Sequence, residues 1–255
     1  MKTTSLIRQL YKRYPKSIAK IYHDYVGVMV GKLKEETNSI FLALDFDETI
    51  LDEALEFNPD LIITHHPFFY GSKVKILKED EQKRRVNDVL LAHNIPLMSM
   101  HTNFDGGTPG MNDALAKALD LEGIYASKEE VCMRIGYLKE EMDINDFAKY
   151  AKEKLHAEYA GLIDAGKRRV KKVGIVGGGG SYDYKVAMKE GCDVYISGDV
   201  SHHARREIIL EKFNYLDMPH EIESIFMEAL KEELLKINPE LKIKTINHEK
   251  QMKII

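Results

Sequence analysis

The sequence predicts an α/β protein of two α/β domains with mostly parallel, mixed sheets, and three observations predict it. Short apolar runs alternate with amphipathic segments along the whole chain. Several of those runs end in Gly, Pro or a cluster of polar residues. No low-complexity linker or short-period repeat interrupts the alternation. Parallel strands need a long crossover, usually a helix, so strand–helix–strand alternation favours a largely parallel sheet.

Residues 4–25 read as helix with interruptions, and Pro15 marks a break. SIFLALDF (39–46) is an apolar strand, and LDEALEF (51–57) is a short helix closed by the turn Asn58-Pro59. DLIITHHPFF (60–69) is a second strand; Pro67 lacks an N–H and ends its pairing. KEDEQKRRVNDVLLAHN (78–94) is helical, with Val86, Val89 and Leu90 on one face. PLMSMHTNF (96–104) is the next strand, GGTPG (106–110) a loop, and MNDALAKALDL (111–121) a helix. The second half repeats the pattern: helix 143–155, strand 171–178 with a glycine loop, helix 184–191, strand 192–199, helix 201–213 and strand 214–218. A helix from about Pro219 to Ile237 and a strand at 241–247 complete it. The expected division is residues 1–125, with the HHP and HTNFD motifs, and residues 126–255, with the GGGG, SGD and PHEIES motifs.

The 255 residues are 44 % hydrophobic and 31 % charged, ordinary values for a globular protein with a real core. A net charge of −4 gives no general attraction to phosphate backbones or anionic membranes, which argues against nucleic acid as a partner. The basic run Arg168–Lys172 reads as the solvated flank of a strand. Cys132 and Cys192 form no C-x-x-C pair, so thiolate metal or redox chemistry is not indicated. Two cysteines fit a reducing compartment. The first residues lack the apolar core of a signal peptide, and no run approaches a membrane span. A cytoplasmic protein is expected.

Four segments carry ligand-type residues. His65 and His66 sit where a buried strand ends, the position at which α/β sheets bind ligands. Successive strand residues point to opposite faces, so two adjacent histidines reach two different ions, or one ligates and the other supports, or both are hydrogen-bonded groups of a loop. His101, Asn103 and Asp105 end the next strand in MSMHTNFDGG, and a carboxylate such as Asp105 can bridge two cations. In MPHEIES, His220 and Glu223 are three apart and share a helix face, a common ligand pair for zinc, manganese or iron. Glu221 competes but points about 100° away on a regular helix. In YISGDVSHHARRE, Asp199 ends a strand, and His202 or His203 is a candidate proton shuttle or supporting group. Three of these clusters sit at strand ends and the fourth follows a strand at a helix start, a placement that lets all four converge on one site in the crevice between the domains.

Two further segments have competing readings. Strand, Gly177–Gly180, Ser181 and helix can let backbone N–H groups approach a phosphate, with Gly178, Gly179 and Ser181 as substrate contacts, or can be a tight turn. LALDFDETIL resembles the first motif of haloacid-dehalogenase-type phosphatases, with Asp45 as nucleophile and Asp47 as general acid. Against that, SGDVSHH lacks the second late carboxylate, and the motif lies unusually far along the chain. The alternative reading makes Asp45, Asp47 and Thr49 strand-end and cap residues.

Together, VGVMVG (26–31), the EA of DEALEFNPDLIITHHPFF, HTNFDGG followed by Asn112-Asp113, IVGGGGS, DVYISGDVSHH and MPHEIES resemble the GTP cyclohydrolase 1 type 2-like family, also called NGG-interacting-factor-3-like dinuclear metal centre proteins. The resemblance runs almost the whole chain. It implies metal ligands at His65, His66, Asp105, His220 and Glu223. Pro219 stands where the family usually has Gly, and the long inserted domain of some members is absent. The resemblance also implies a homo-hexameric ring, with two divalent ions per subunit (Zn, Fe, Mn or similar) facing an internal cavity.

The activity it implies is metal-dependent hydrolysis of a small molecule, GTP or another nucleotide, by opening the purine ring. The ions would activate a water, and His101 or His203 would move protons. A metal-binding scaffold or regulator without turnover is the alternative from another class.

Overall fold

The structure is a computed structural model that describes residues 1–254. It contains two mixed sheets among those residues, each in its own compact unit. The first unit is residues 1–108 with 226–249; the second is residues 109–225 with the chain from Lys250 on. The sequence suggests one boundary near residue 125. The units interleave instead, because the last strand returns to the first sheet.

The first sheet has β1 (Gly27–Val30), β2 (Ser39–Ala43), β3 (Leu61–Thr64), β4 (Leu97–Ser99) and, from the end of the chain, β11 (Lys242–Ile246). Its order is β1-β4-β3-β2-β11. β4, β3, β2 and β11 run parallel, and β1 is antiparallel to β4. β2 and β3 are almost wholly buried, as a strand covered on both faces must be, and their unbroken apolar runs reflect it. Val30, Phe41, Ile62, Val86, Leu90 and Leu97 belong to the core beside them. Helix Glu81–Ala92 lays Val86 and Leu90 on that core, and Asp80 caps its start by accepting from the Lys83 N–H at 2.9 Å.

The second sheet has β5 (Glu122–Ala126), β6 (Arg134–Asp143), β7 (Gly161–Ile163), β8 (Arg169–Ile175), β9 (Val194–Gly198) and β10 (Asn214–Met218). Its order is β5-β6-β8-β9-β10-β7. Only β8, β9 and β10 are mutually parallel; β5, β6 and β7 attach antiparallel. The sheet is therefore less parallel than the sequence suggests. β5 is largely exposed and β6 half so, so neither shows an apolar run. The basic run Arg168–Lys172 lies mostly within β8 and not on its flank, with Arg169 and Lys171 exposed and Val170 buried between them; Arg168 meets Asp143 at 2.5 Å and Arg169 donates to the Glu141 carbonyl at 2.7 Å. No helix among the described residues is long and apolar enough to cross a membrane.

Parallel pairing sets where the polar residues emerge. Ile246 is level with Ala43, Ala43 with Thr64, and Thr64 with Ser99. The residues just beyond these strand ends therefore leave from one edge of the first sheet: Leu44–Asp47, His65-His66, Met100-His101 and Asn247–Glu249. In the second unit, Ile175 is level with Ile196 and Gly198 with Met218. Gly177–Gly180, Asp199 and His220 accordingly leave from one edge of the second sheet.

Candidate metal centre

In the first unit, His65, His66 and His101 offer nitrogen atoms that all lie within 4.8 Å of one another. The ring of His65 is 5.1 Å from that of His66 and 5.0 Å from that of His101. His101 comes near because the strand stops before it. β4 ends at Ser99, and Thr102–Asp105 forms one helical turn where the sequence pattern suggests continued strand. Buried Asn103 closes the turn, accepting from the His101 N–H at 3.1 Å and donating to the Tyr14 carbonyl at 3.0 Å. The turn also swings Asp105 back, and its Oδ1 lies 3.5 Å from Nε2 of the fully buried His65. Phe226 backs the site, with its ring 4.8 Å from that of His65.

Each histidine of this cluster is held by the same nitrogen. His65 Nδ1 donates to the Met100 carbonyl at 3.0 Å, His66 Nδ1 to Asp45 at 2.6 Å, and His101 Nδ1 to Asp24 at 2.7 Å. An acceptor at Nδ1 fixes the hydrogen there and puts the lone pair on Nε2, the tautomer that metal-ligating histidines use. Burial pushes the Asp24 carboxyl up, but the hydrogen bonds from His101 and Thr102 and the charge of His101 outweigh it and hold the group below its ordinary value.

The second unit repeats the device. His220 Nδ1 meets Asp199 at 2.6 Å, and Nε2 meets Glu223 at 3.1 Å. These residues lie in a 3₁₀ turn, His220–Ser224, that runs into helix Ile225–Ile237; the sequence pattern suggests α-helix from the start. In a 3₁₀ turn residues three apart eclipse, so His220 and buried Glu223 still share a face. The hydrogen bond to Glu223 is the largest influence on His220. Desolvation opposes it, and the charge of Glu223 and the Asp199 contact add to it, raising the imidazole to about 9.

The glycine loop walls this pair. Gly178 has φ +67°, and a Cβ there would collide with the Glu223 carboxylate. The loop is pinned from within: Gly177 N–H donates to Asn112 at 2.8 Å, Gly180 N–H to Ser197 at 2.9 Å, and Ser197 Oγ to the Gly178 carbonyl at 2.9 Å. Gly179 is exposed, and Ser181 opens a 3₁₀ turn. His202 and His203 lie exposed at the start of helix His202–Leu210; their rings are 5.6 Å apart, and His202 accepts from Arg205 at 3.2 Å.

Asp45 and Asp47 have roles other than those of a phosphatase nucleophile and acid. Asp45 orients His66, and Asp47 caps the turn Glu48–Ile50 by accepting from Thr49 N–H at 2.7 Å. Both are strand-end and cap residues. Asp24, which holds His101, escaped sequence reasoning; an aspartate 77 positions from its partner leaves no local signal.

The donor chemistry fits a divalent cation. Two ligands of one ion at about 2.0–2.2 Å lie about 3.0–3.5 Å apart. The His65–Asp105 and His220–Glu223 pairs, at 3.5 and 3.1 Å, have that spacing.

The fold and these clusters define an α/β protein with His/carboxylate groups able to hold metal. The chain belongs to the Duf34/NIF3 (NGG1p interacting factor 3) family, whose profile matches residues 1–252. It is 32 % identical to a Clostridium perfringens protein named GTP cyclohydrolase 1 type 2 homolog, over 77 % of each chain. A Halalkalibacterium halodurans protein of the same name is 23 % identical over 93 % of each chain. Among solved structures, Staphylococcus aureus protein SA1388 superposes with a TM-score of 0.88 at 24 % identity, covering 100 % of this chain and 99 % of that one. Reduced HcgD from Methanocaldococcus jannaschii superposes with a TM-score of 0.79 at 26 % identity, covering 96 and 97 %.

Proposed function

We propose that the chain is a dinuclear divalent-metal-binding protein that acts as a metal-dependent hydrolase of the GTP cyclohydrolase 1 type 2 kind. The observation that carries this reading is the repeated device: histidines held at Nδ1, with a carboxylate oxygen at ligand spacing from Nε2 in two of them. His65 and Asp105 would hold one ion, His220 and Glu223 a second, with His66 as the fifth ligand.

Bound ions would supply a water acidified toward neutral pH and a polarised substrate oxygen or ring nitrogen. The chain's own groups would do the rest. Asp45, Asp24 and Asp199 hold the imidazoles in the ligating tautomer. His101, within the cluster, and His203, at the helix start, are the proposed proton carriers. Gly178 makes room for Glu223, and Gly179 and Ser181 are the proposed substrate contacts. The relatives' names point to a guanine nucleotide as substrate.

The test pairs metal analysis of wild type, His65→Ala and Asp105→Ala with an assay of GTP loss and formate release in manganese, zinc or iron. Two ions per wild-type chain, loss of metal in each variant and metal-dependent turnover are expected. Metal binding without consumption of any nucleotide would leave the non-catalytic scaffold in its place.

A further inference from the structure

We propose that His248 is a positioning residue for the metal centre: through Asp47 it clamps the loop from which Asp45 holds His66. This role rests on the metal reading above.

β11 lies parallel beside β2 with Ile246 level with Ala43, so the segments beyond them leave the sheet together. His248 Nε2 reaches Asp47 Oδ2 at 3.3 Å, across 201 positions of sequence. The other oxygen, Oδ1, accepts from the Thr49 N–H at 2.7 Å and the Thr49 hydroxyl at 2.5 Å. Both oxygens of Asp47 are thus committed, one to the loop's own turn and one to the C-terminal segment.

The same loop bears directly on the histidine pair. The Leu44 carbonyl accepts from the His65 N–H at 3.1 Å and the His66 N–H at 3.0 Å. Asp45, two residues before Asp47, holds His66 Nδ1 at 2.6 Å. The Asp45 side chain is 49 % exposed, so burial does not fix it, and its aim depends on the backbone that carries it. A loop free to shift would move both the carboxylate that orients the ring and the carbonyl that anchors the pair.

His248 is not a solvated tail residue. Its side chain is 16 % exposed, and its Nε2 also faces Glu249 Oε1 at 3.5 Å. Its Nδ1 is buried without a hydrogen-bond partner among the described residues. Forgoing that bond carries a cost, so the contact with Asp47 has to outweigh it.

The experiment uses wild type, His248→Ala and His248→Gln, whose amide nitrogen stands where Nε2 does. Manganese affinity is measured by titration calorimetry, and hydrogen exchange of the Thr49 amide is followed in metal-free protein. His248→Ala is expected to weaken manganese binding about tenfold, the low end for loss of an outer partner, and to speed Thr49 exchange. His248→Gln is expected to restore both. Equal manganese affinity in wild type and His248→Ala would overturn the clamp, as would a glutamine variant no better than alanine. A wild type that binds none of manganese, zinc and iron would remove the metal reading and this role with it, and is told apart from failure of the clamp alone by the wild-type titrations.

Discussion

Asp45 and His66 meet at 2.6 Å between Oδ2 and Nδ1, although 21 positions of sequence separate them. They meet because β2 and β3 are parallel neighbours, with Ala43 level with Thr64, and each residue lies two positions beyond its strand's end. The pair fixes which nitrogen of His66 faces outward. Asp45→Ala should therefore cost about 10- to 100-fold in metal affinity, with little change in thermal stability. Asp45→Asn keeps an acceptor for the Nδ1 hydrogen and should lose less. Titration calorimetry with manganese checks this, and equal affinity in wild type and Asp45→Ala would count against an orienting role.

Gly178 is the one position of its loop where both backbone and space forbid a side chain. Its φ of +67° is left-handed, and a Cβ would strike the Glu223 carboxylate. Gly178→Ala should destabilise the fold by about 1–2 kcal/mol from the backbone alone, and should also push Glu223 away from His220. The variant should unfold at lower temperature and bind less metal. A Gly178→Ala protein with unchanged metal content would show that Glu223 is not held by this wall.

Much of the candidate site is legible in the sequence as a set of expected ligands, and the parts that are not have physical reasons. His65, His66, Asp105, His220 and Glu223 stand out because each comes after a short apolar run, and strand ends are where such groups gather. Asp45, which holds His66, and Asp24, which holds His101, are not legible as orienting groups, because an aspartate in a turn has the same local appearance whether it caps a helix or holds an imidazole across the sheet. Asp47 does cap, and only the fold separates it from Asp45. The central strands are readable from continuous burial. β5, with the sequence EGIYA largely exposed, offers no periodicity to read. The turn at His220 reads as α-helix in the sequence since residues three apart are neighbours in both helix types.

Phe226 ties the site to the core of the first unit. It is fully buried, with its ring 4.8 Å from that of His65 and 5.3 Å from that of Phe104. Phe226→Ala should cost about 3–5 kcal/mol, visible in the denaturant midpoint. Phe226→Leu should cost less, yet it removes the ring that packs against His65. A leucine variant with near-normal stability and weakened metal binding is the expected result. Parallel loss of both properties in the two variants would make Phe226 a packing residue alone.

His220 sets the expected pH dependence. Its imidazole is raised from the ordinary 6.5 to about 9, first by the Glu223 hydrogen bond and further by Asp199. In metal-free protein the proton occupies the place between His220 and Glu223 that a cation would take. Folding therefore favours the protonated ring. The resulting stability is fully present below about pH 6.5 and is lost as pH rises through about 9. Metal binding runs the opposite way, because the ion must displace that proton. Affinity should rise about tenfold per pH unit up to about pH 9 and then level off, with one proton released from His220 per ion bound below that pH. Asp199→Asn removes one of the two carboxylates and should narrow the window from its upper end. Calorimetry in buffers of different ionisation enthalpy counts the proton directly. Metal affinity that stays flat from pH 7 to 9, with no proton released, would mean that His220 is not a ligand.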